Sequence, residues 1–130
     1  MIHSLLWRAV GVQVVYGFLV IAWQVAGLLL IAIGRQPLGP TASASVAIFA
    51  AVSTALCVAL ARSLPSAYVL ASCGLAYVAS TTILNAFTAD PNNWPSDLSR
   101  YLGVAVNAVG VLAAALAIFA FVRMRGKSAA

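Results

Sequence analysis

Charge is what this chain lacks most: only 7% of its 130 residues are Asp, Glu, Lys or Arg, with two acids and a single histidine. A soluble domain usually carries about a quarter charged residues, so a soluble enzyme and an acidic disordered tail are both excluded. Two cysteines are too few for a secreted disulfide scaffold. The one histidine, His3, stands at the amino-terminal end and leaves no bis-histidine pair for haem and no cluster for zinc. There is also no Cys-x-x-Cys motif, no phosphate-binding glycine loop and no nucleophile paired with a base. The chain therefore reads as a non-enzyme that needs no cofactor. Its seven cations form no patch, so the net charge of +5 reads as topology and headgroup anchoring and not as an affinity for nucleic acid.

Hydrophobic residues make up 64% of the chain. They fall into four stretches, about 9–33, 43–63, 66–87 and 97–122, each near the roughly 20 residues that a membrane helix needs. These bounds predict an all-α integral membrane four-helix bundle in a single domain. Gly34, Pro37, Gly39 and Pro40 end the first span, and the second begins near Ser43. The connection around Pro65 is short enough to demand an antiparallel hairpin, with Pro65 in the first turn of the third helix. The longest connection ends in Ser96 and Asp97, the N-cap candidates of the fourth helix, and both acids lie in it. Trp94, Trp7 and Tyr101 have the amphipathic character of interfacial anchors. The first run is far longer than the roughly 7–15-residue core of a signal peptide, so it reads as a retained helix; Ala42-Ser43-Ala44 is the one passable cleavage pattern.

Four spans put both termini and the Pro65 turn on one side. Arg8, Arg62, Arg123, Arg125 and Lys127 collect there, against Arg35 and Arg100 on the other. The positive-inside rule then places both termini in the cytoplasm of a multi-pass inner-membrane protein.

No Asp, Glu, Lys or Arg lies deep in any span, so a proton relay within this chain has no titratable carrier. Cys57 and Cys73 each stand eight residues from Pro65 on opposite arms of the hairpin, at similar depth, and read either as small buried hydrophobes or as a pair. Amides in hydrocarbon need partners. Gln13 and Gln24, eleven apart, share one helix face to within about 20°. Gln24, Ser53 and Asn107 lie at one depth, bracketed by Tyr77 and Thr81. This polar layer is either a substrate chamber lined by Gln24, Tyr77, Thr81 and Asn107 or a set of interhelical hydrogen bonds. Ala47, Ala51, Ala55 and Ala59 form a small-residue stripe on the second helix, and Gly103 and Gly110 flatten the fourth; either surface suits packing within the bundle or a subunit contact. Arg35, Arg62 and Arg100 are placed to anchor to anionic headgroups or to meet a substrate phosphate.

Tyr16 through Gly27, the Leu64-Pro65-Ser66-Ala67-Tyr68 turn, and Leu102-Gly103 followed by Asn107 and Gly110-Val111 together resemble the small multidrug resistance proteins and half-size members of the drug/metabolite transporter superfamily. The resemblance implies a dimer, homo- or hetero-oligomeric, with Gln24 where that family carries its essential glutamate and with Tyr68 shaping the chamber. A glutamine does not titrate, so the chain looks closer to the relatives that flip lipid-linked aminoarabinose than to proton-coupled exporters. The expectation is a small transporter or flippase of an amphipathic or lipid-linked substrate, with membrane lipid as its surroundings. The rival reading is a non-catalytic accessory subunit of a larger membrane complex.

Overall fold

The computed structural model describes residues 2–128, with side chains from 4 to 127, so the side chain of His3 lies outside the described residues. Four helices, α1 (Ile2–Ala32), α2 (Ala44–Ser63), α3 (Pro65–Thr88) and α4 (Asp97–Ser128), are joined by two longer loops and one tight turn; a short 3-10 turn, Pro91–Asn93, interrupts the second loop. All four are long and apolar enough to cross a membrane, the mark of a multi-pass membrane protein.

Each helix end is fixed by local chemistry. Ile33 follows the last turn of α1, and Gly34 then takes φ +75°, a conformation that costs glycine little. The Gly34 amide donates to Ile31 and the Arg35 amide to Leu30, which closes the helix in a Schellman motif. Ser43 caps α2 by accepting from the Val46 amide. Leu64 ends α2 and starts α3, with Pro65 at the first helical position, where its missing N–H costs nothing. Ser96 Oγ accepts from the Ser99 amide and caps α4, with Asp97 in the first turn as the helix dipole prefers.

The helices extend beyond the apolar spans. α1 begins at Ile2 and α4 runs to Ser128, and at the end that carries the termini Leu6 packs with Ala9, Val10, Cys57, Ala61, Tyr68, Ala117 and Ala120 in one buried cluster, with Leu5 and Met124 against it. In sequence order the helices form a ring: α1 touches α2 and α4, and α3 touches α4 and, least closely, α2. The tightest turn in the chain thus joins the pair that packs most loosely.

Packing rests on small residues. Ala9, Ala79, Ala113, Ala117 and Ala120 are fully buried, whereas Phe18, Leu29, Ile48, Leu70 and Leu84 face outward. Against lipid, apolar area provides no drive for association, and close van der Waals fit takes its place. The α2 stripe is not part of that fit. Ala51, Ala55 and Ala59 are exposed and Ala47 half-buried, while Ala50, Cys57 and Ala61, on an adjacent stripe, face inward. Gly103 and Gly110, in contrast, are inside, each covered by an aromatic ring: Trp94 on Gly103 and Tyr16 on Gly110. Cys57 is buried, Cys73 half-buried, and both are free thiols.

Ala117→Leu is therefore expected to lose about 1–3 kcal/mol by overpacking α1 against α4, whereas Ala55→Leu, which points away from the bundle, is expected to change the stability of the single chain by less than about 0.5 kcal/mol. Unfolding of the detergent-solubilised monomer checks both.

Candidate chamber in the loop half of the bundle

At the end opposite the termini, the two loops are tied to each other and to α4. Gln36 Nε2 donates to the Asn92 carbonyl at 3.3 Å, and Ser99 Oγ donates to the Leu38 carbonyl. Trp94 lies against Gly39 and Gly103, with Trp23 alongside; a Cβ at Gly103 would come within 2.9 Å of the Trp94 ring. Trp94 is thereby buried, at 7% exposure, and plugs the bundle instead of anchoring it at the interface. Trp7 and Tyr101 do remain exposed, each beneath a guanidinium: Arg62 over Trp7 at 5.8 Å and Arg100 over Tyr101 at 5.3 Å.

Beneath the Trp94 plug lies a cavity of about 260 Å³. Its floor is level with Gln13 on α1, Thr54 on α2, Leu75 on α3 and Asn107 on α4, directly above the buried cluster at Val10 and Cys57. Trp23, Phe49 and Val106 give it apolar walls. Val46, Phe49 and Val78 line it and are exposed, at 38%, 55% and 49%, as are Pro40 and Thr41 in the loop before α2. The cavity therefore opens along α2, towards α3, where the helices pack least closely among the neighbouring pairs, and towards that loop.

The polar atoms of the lining differ in what they have left to offer. Tyr16 Oη donates to Asn107 Oδ1 at 3.3 Å, and Asn107 Nδ2 donates to the Gly103 carbonyl at 2.8 Å. Thr54 and Thr82 donate their hydroxyl protons to the carbonyls of Ala50 and Val78, which leaves only lone pairs for the cavity. Gln24 Oε1 accepts the Ser43 amide at 2.8 Å, an otherwise unpartnered donor at the start of α2. Gln13 is 1% exposed, and neither its Oε1 nor its Nε2 has a partner. Trp94 Nε1 is also buried without one. The lining contains no Asp, Glu, Lys, Arg or His among the described residues.

The residues singled out from sequence divide accordingly. Gln24 and Asn107 line the cavity together. Tyr77 is 72% exposed and faces outward, and Thr81 is half-buried with its hydroxyl on the Val78 carbonyl; α3 presents their neighbours Val78 and Thr82 instead. Tyr68 is buried at the other end of the bundle, against Leu6 and Cys57. None of the three arginines reaches the cavity. Arg35 borders a separate surface groove with Gln36 and Ser96, Arg62 stacks on Trp7 by the tight turn, and Arg100 is paired with Asp97 at 2.9 Å. Gln13, Tyr16, Thr54 and Trp94 complete the site. The shared face of Gln13 and Gln24 is the sequence signal that reaches the first of them; Thr54 and Trp94 have no comparable signal, because their place depends on Gly17 and Gly103 in other elements.

Gln24→Leu is expected to cost about 1–3 kcal/mol by leaving the Ser43 amide unpaired, whereas Gln24→Glu keeps an acceptor there and, as an anion at a helix N-terminus, retains most of that stability. Thermal unfolding in detergent at neutral pH separates the two.

Compared with protein-family models, curated proteins and solved structures, the chain matches none.

Proposed function

We propose that this chain is a small membrane transporter or flippase of an amphipathic substrate, related in design to half-size drug/metabolite transporters. The observation that carries this reading is the cavity: about 260 Å³, mostly apolar, with Tyr16, Gln24 and Asn107 in its lining and exposed residues of α2 and α3 at its edge. A polar head enters the chamber through that edge while an apolar tail stays among the acyl chains. With no carboxylate in the lining, uptake draws on neutral hydrogen bonds and not on exchange for a proton. The arginines outside the chamber act as anchors and topology signals; a phosphate on the substrate has no cation to meet inside. Five cations at the terminal end against two at the loop end support a reading with the termini in the cytoplasm and the chamber in the outer half of an inner membrane.

The exposed α2 face with Ala51, Ala55 and Ala59 favours a partner helix, since backbones can approach closely there. In the transporter reading it joins two copies. In the accessory-subunit reading it clamps a larger membrane protein, and the chamber carries nothing.

Reconstitution decides between them. Proteoliposomes containing a chain-labelled fluorescent glycolipid with a neutral head are expected to expose inner-leaflet probe to external dithionite faster than protein-free vesicles. Val78→Trp, which fills the mouth at an exposed position, is expected to return the rate to the protein-free level without changing folding. Transfer no faster than in protein-free vesicles, or transfer insensitive to Val78→Trp, overturns the proposal; co-purification at fixed stoichiometry with a larger protein, lost in Ala55→Leu, supports the accessory role.

A further inference from the structure

We propose that two copies of this chain pair in parallel along the outward face of α3, the Tyr77 ring of each seated over Gly74 of the other. This contact does not rest on the transport reading and holds whether or not the chamber carries a substrate. Every exposed residue from Val15 to Leu29 on α1, from Ile48 to Ala59 on α2 and from Leu102 to Val122 on α4 is apolar, as lipid demands. The middle of α3 breaks that pattern. Tyr77 and Ser80 are exposed there, with Thr81 half-buried beside them. Ser80 and Thr81 give their protons to carbonyls of their own helix, at Ala76 and Val78. The Tyr77 hydroxyl has no partner among the described residues, and at 72% exposure it stands about 18 Å from either end of the helix. A hydroxyl left unpaired in hydrocarbon is costly; acyl chains offer it nothing, and the headgroups are about 15 Å from the midplane.

The same face supplies what the hydroxyl lacks. Leu70, Gly74, Tyr77, Thr81, Leu84 and Thr88 recur at alternating steps of four and three, the spacing of a seam between two helices packed knob into hole. Gly74 is the hole: it is exposed, a Cβ there would meet nothing within 4 Å, and a glycine in a helix interior weakens the helix unless the room is used. Tyr77 is the knob. Helical side chains lean toward the N-terminus of their helix, so in a parallel pair the ring leans onto Gly74 of the neighbour, one turn back. Its hydroxyl then reaches carbonyl oxygens of the turn before Gly74, which a side chain at that position would have covered and which keep a lone pair beyond their helical bonds. A two-fold axis along the membrane normal repeats the contact in the other direction. The fit copies steps already present inside the chain, where Trp94 lies on Gly103 and Tyr16 on Gly110. This self-complementarity selects a second copy over a foreign helix, and the cation bias, which threads every copy the same way, selects parallel over antiparallel. The α2 face allows close approach but has no unmet polar group in its middle, so α3 makes the stronger contact.

The test uses the full chain in liposomes, tagged after its last residue with a donor or an acceptor fluorophore. On dilution in lipid, energy transfer between copies is expected to persist far beyond the level of chance encounter shown by an unrelated single-span helix. Gly74→Leu fills the hole at a position that is open in the single chain, so it is expected to leave unfolding of the detergent-solubilised monomer unchanged yet weaken pairing by about tenfold or more. Tyr77→Phe keeps the ring and removes the hydroxyl, and is expected to weaken pairing about threefold for each of the two hydrogen bonds lost. Ala55→Leu is expected to leave pairing intact. With Cys57→Ala and Cys73→Ala, Leu70→Cys is expected to cross-link to its own copy in native membranes, as only a parallel pair allows; an antiparallel pair sets Leu70 against Leu84. Energy transfer at the chance level, pairing that survives Gly74→Leu, an unchanged affinity in Tyr77→Phe, or pairing lost in Ala55→Leu but not in Gly74→Leu overturns the proposal, as does cross-linking of Leu70→Cys to Leu84→Cys alone. None of these outcomes alters glycolipid transfer or its block by Val78→Trp, so the pairing and the transport reading fall separately.

Discussion

Without water, a polar atom must find its partner inside the protein, and this requirement organises the whole chain. It makes the backbone helical from Ile2 to Ala32 and from Asp97 to Ser128, and it concentrates exceptions at helix ends, where each start or stop has its own device. The Schellman closure at Gly34, the Ser43 and Ser96 caps and Pro65 at a first helical position are four answers to the same problem. Gln24 extends the same logic through space: a side chain of α1 satisfies the amide at the start of α2, a chain distance of nineteen residues. The exceptions among the described residues are buried polar atoms of Gln13, Tyr68, Ser72, Trp94 and Arg100, which have no hydrogen-bond partner.

The second organising element is the pairing of glycine with an aromatic or β-branched side chain. A Cβ at Gly17 would run into Thr54, one at Gly110 into the Tyr16 ring, and one at Gly103 into Trp94. Each removed side chain makes room for a bulky partner from another element. Tyr16, admitted by Gly110, reaches Asn107; Thr54, admitted by Gly17, reaches the cavity floor; Trp94, admitted by Gly103 and Gly39, closes the top. The chamber is thus built by the same contacts that bring the helices together.

The four helices were legible in the sequence because length, hydropathy and end signals all agree on them. What hydropathy alone missed was their extension at both termini, where Arg8 and Arg123 interrupt the apolar run but Leu5 and Leu6 on one side and Met124 on the other still pack in or against the buried cluster. Depth was readable only in part: Gln24 accepts the Ser43 amide at the start of α2, about ten residues of helix away from Ser53, so it does not share one layer with Ser53 and Asn107. Azimuth was not readable either. Tyr77 and Thr81 lie at the right depth, yet one position along α3 separates them from Val78 and Thr82, which face the cavity. On α2 the most regular small-residue stripe faces out and a less regular one faces in. In a soluble helix the hydrophobic face reveals which side is buried, whereas here every side is apolar and that signal vanishes. Trp94 was misjudged for a related reason: a tryptophan beside charged residues looks like an anchor until the slot between Gly39 and Gly103 is known.

The opening along α2 starts only a turn or so below the loops: Val46 lies in the first turn of α2 and Phe49 in its second, while the buried cluster of Leu6, Cys57 and Tyr68 lies in the opposite half. The two monolayers therefore border different surfaces of the bundle, one with the opening and one with the packed cluster. A neighbour inserted upside down would present its opening to the other monolayer, so which leaflet borders the cavity is set by how each copy is threaded into the bilayer.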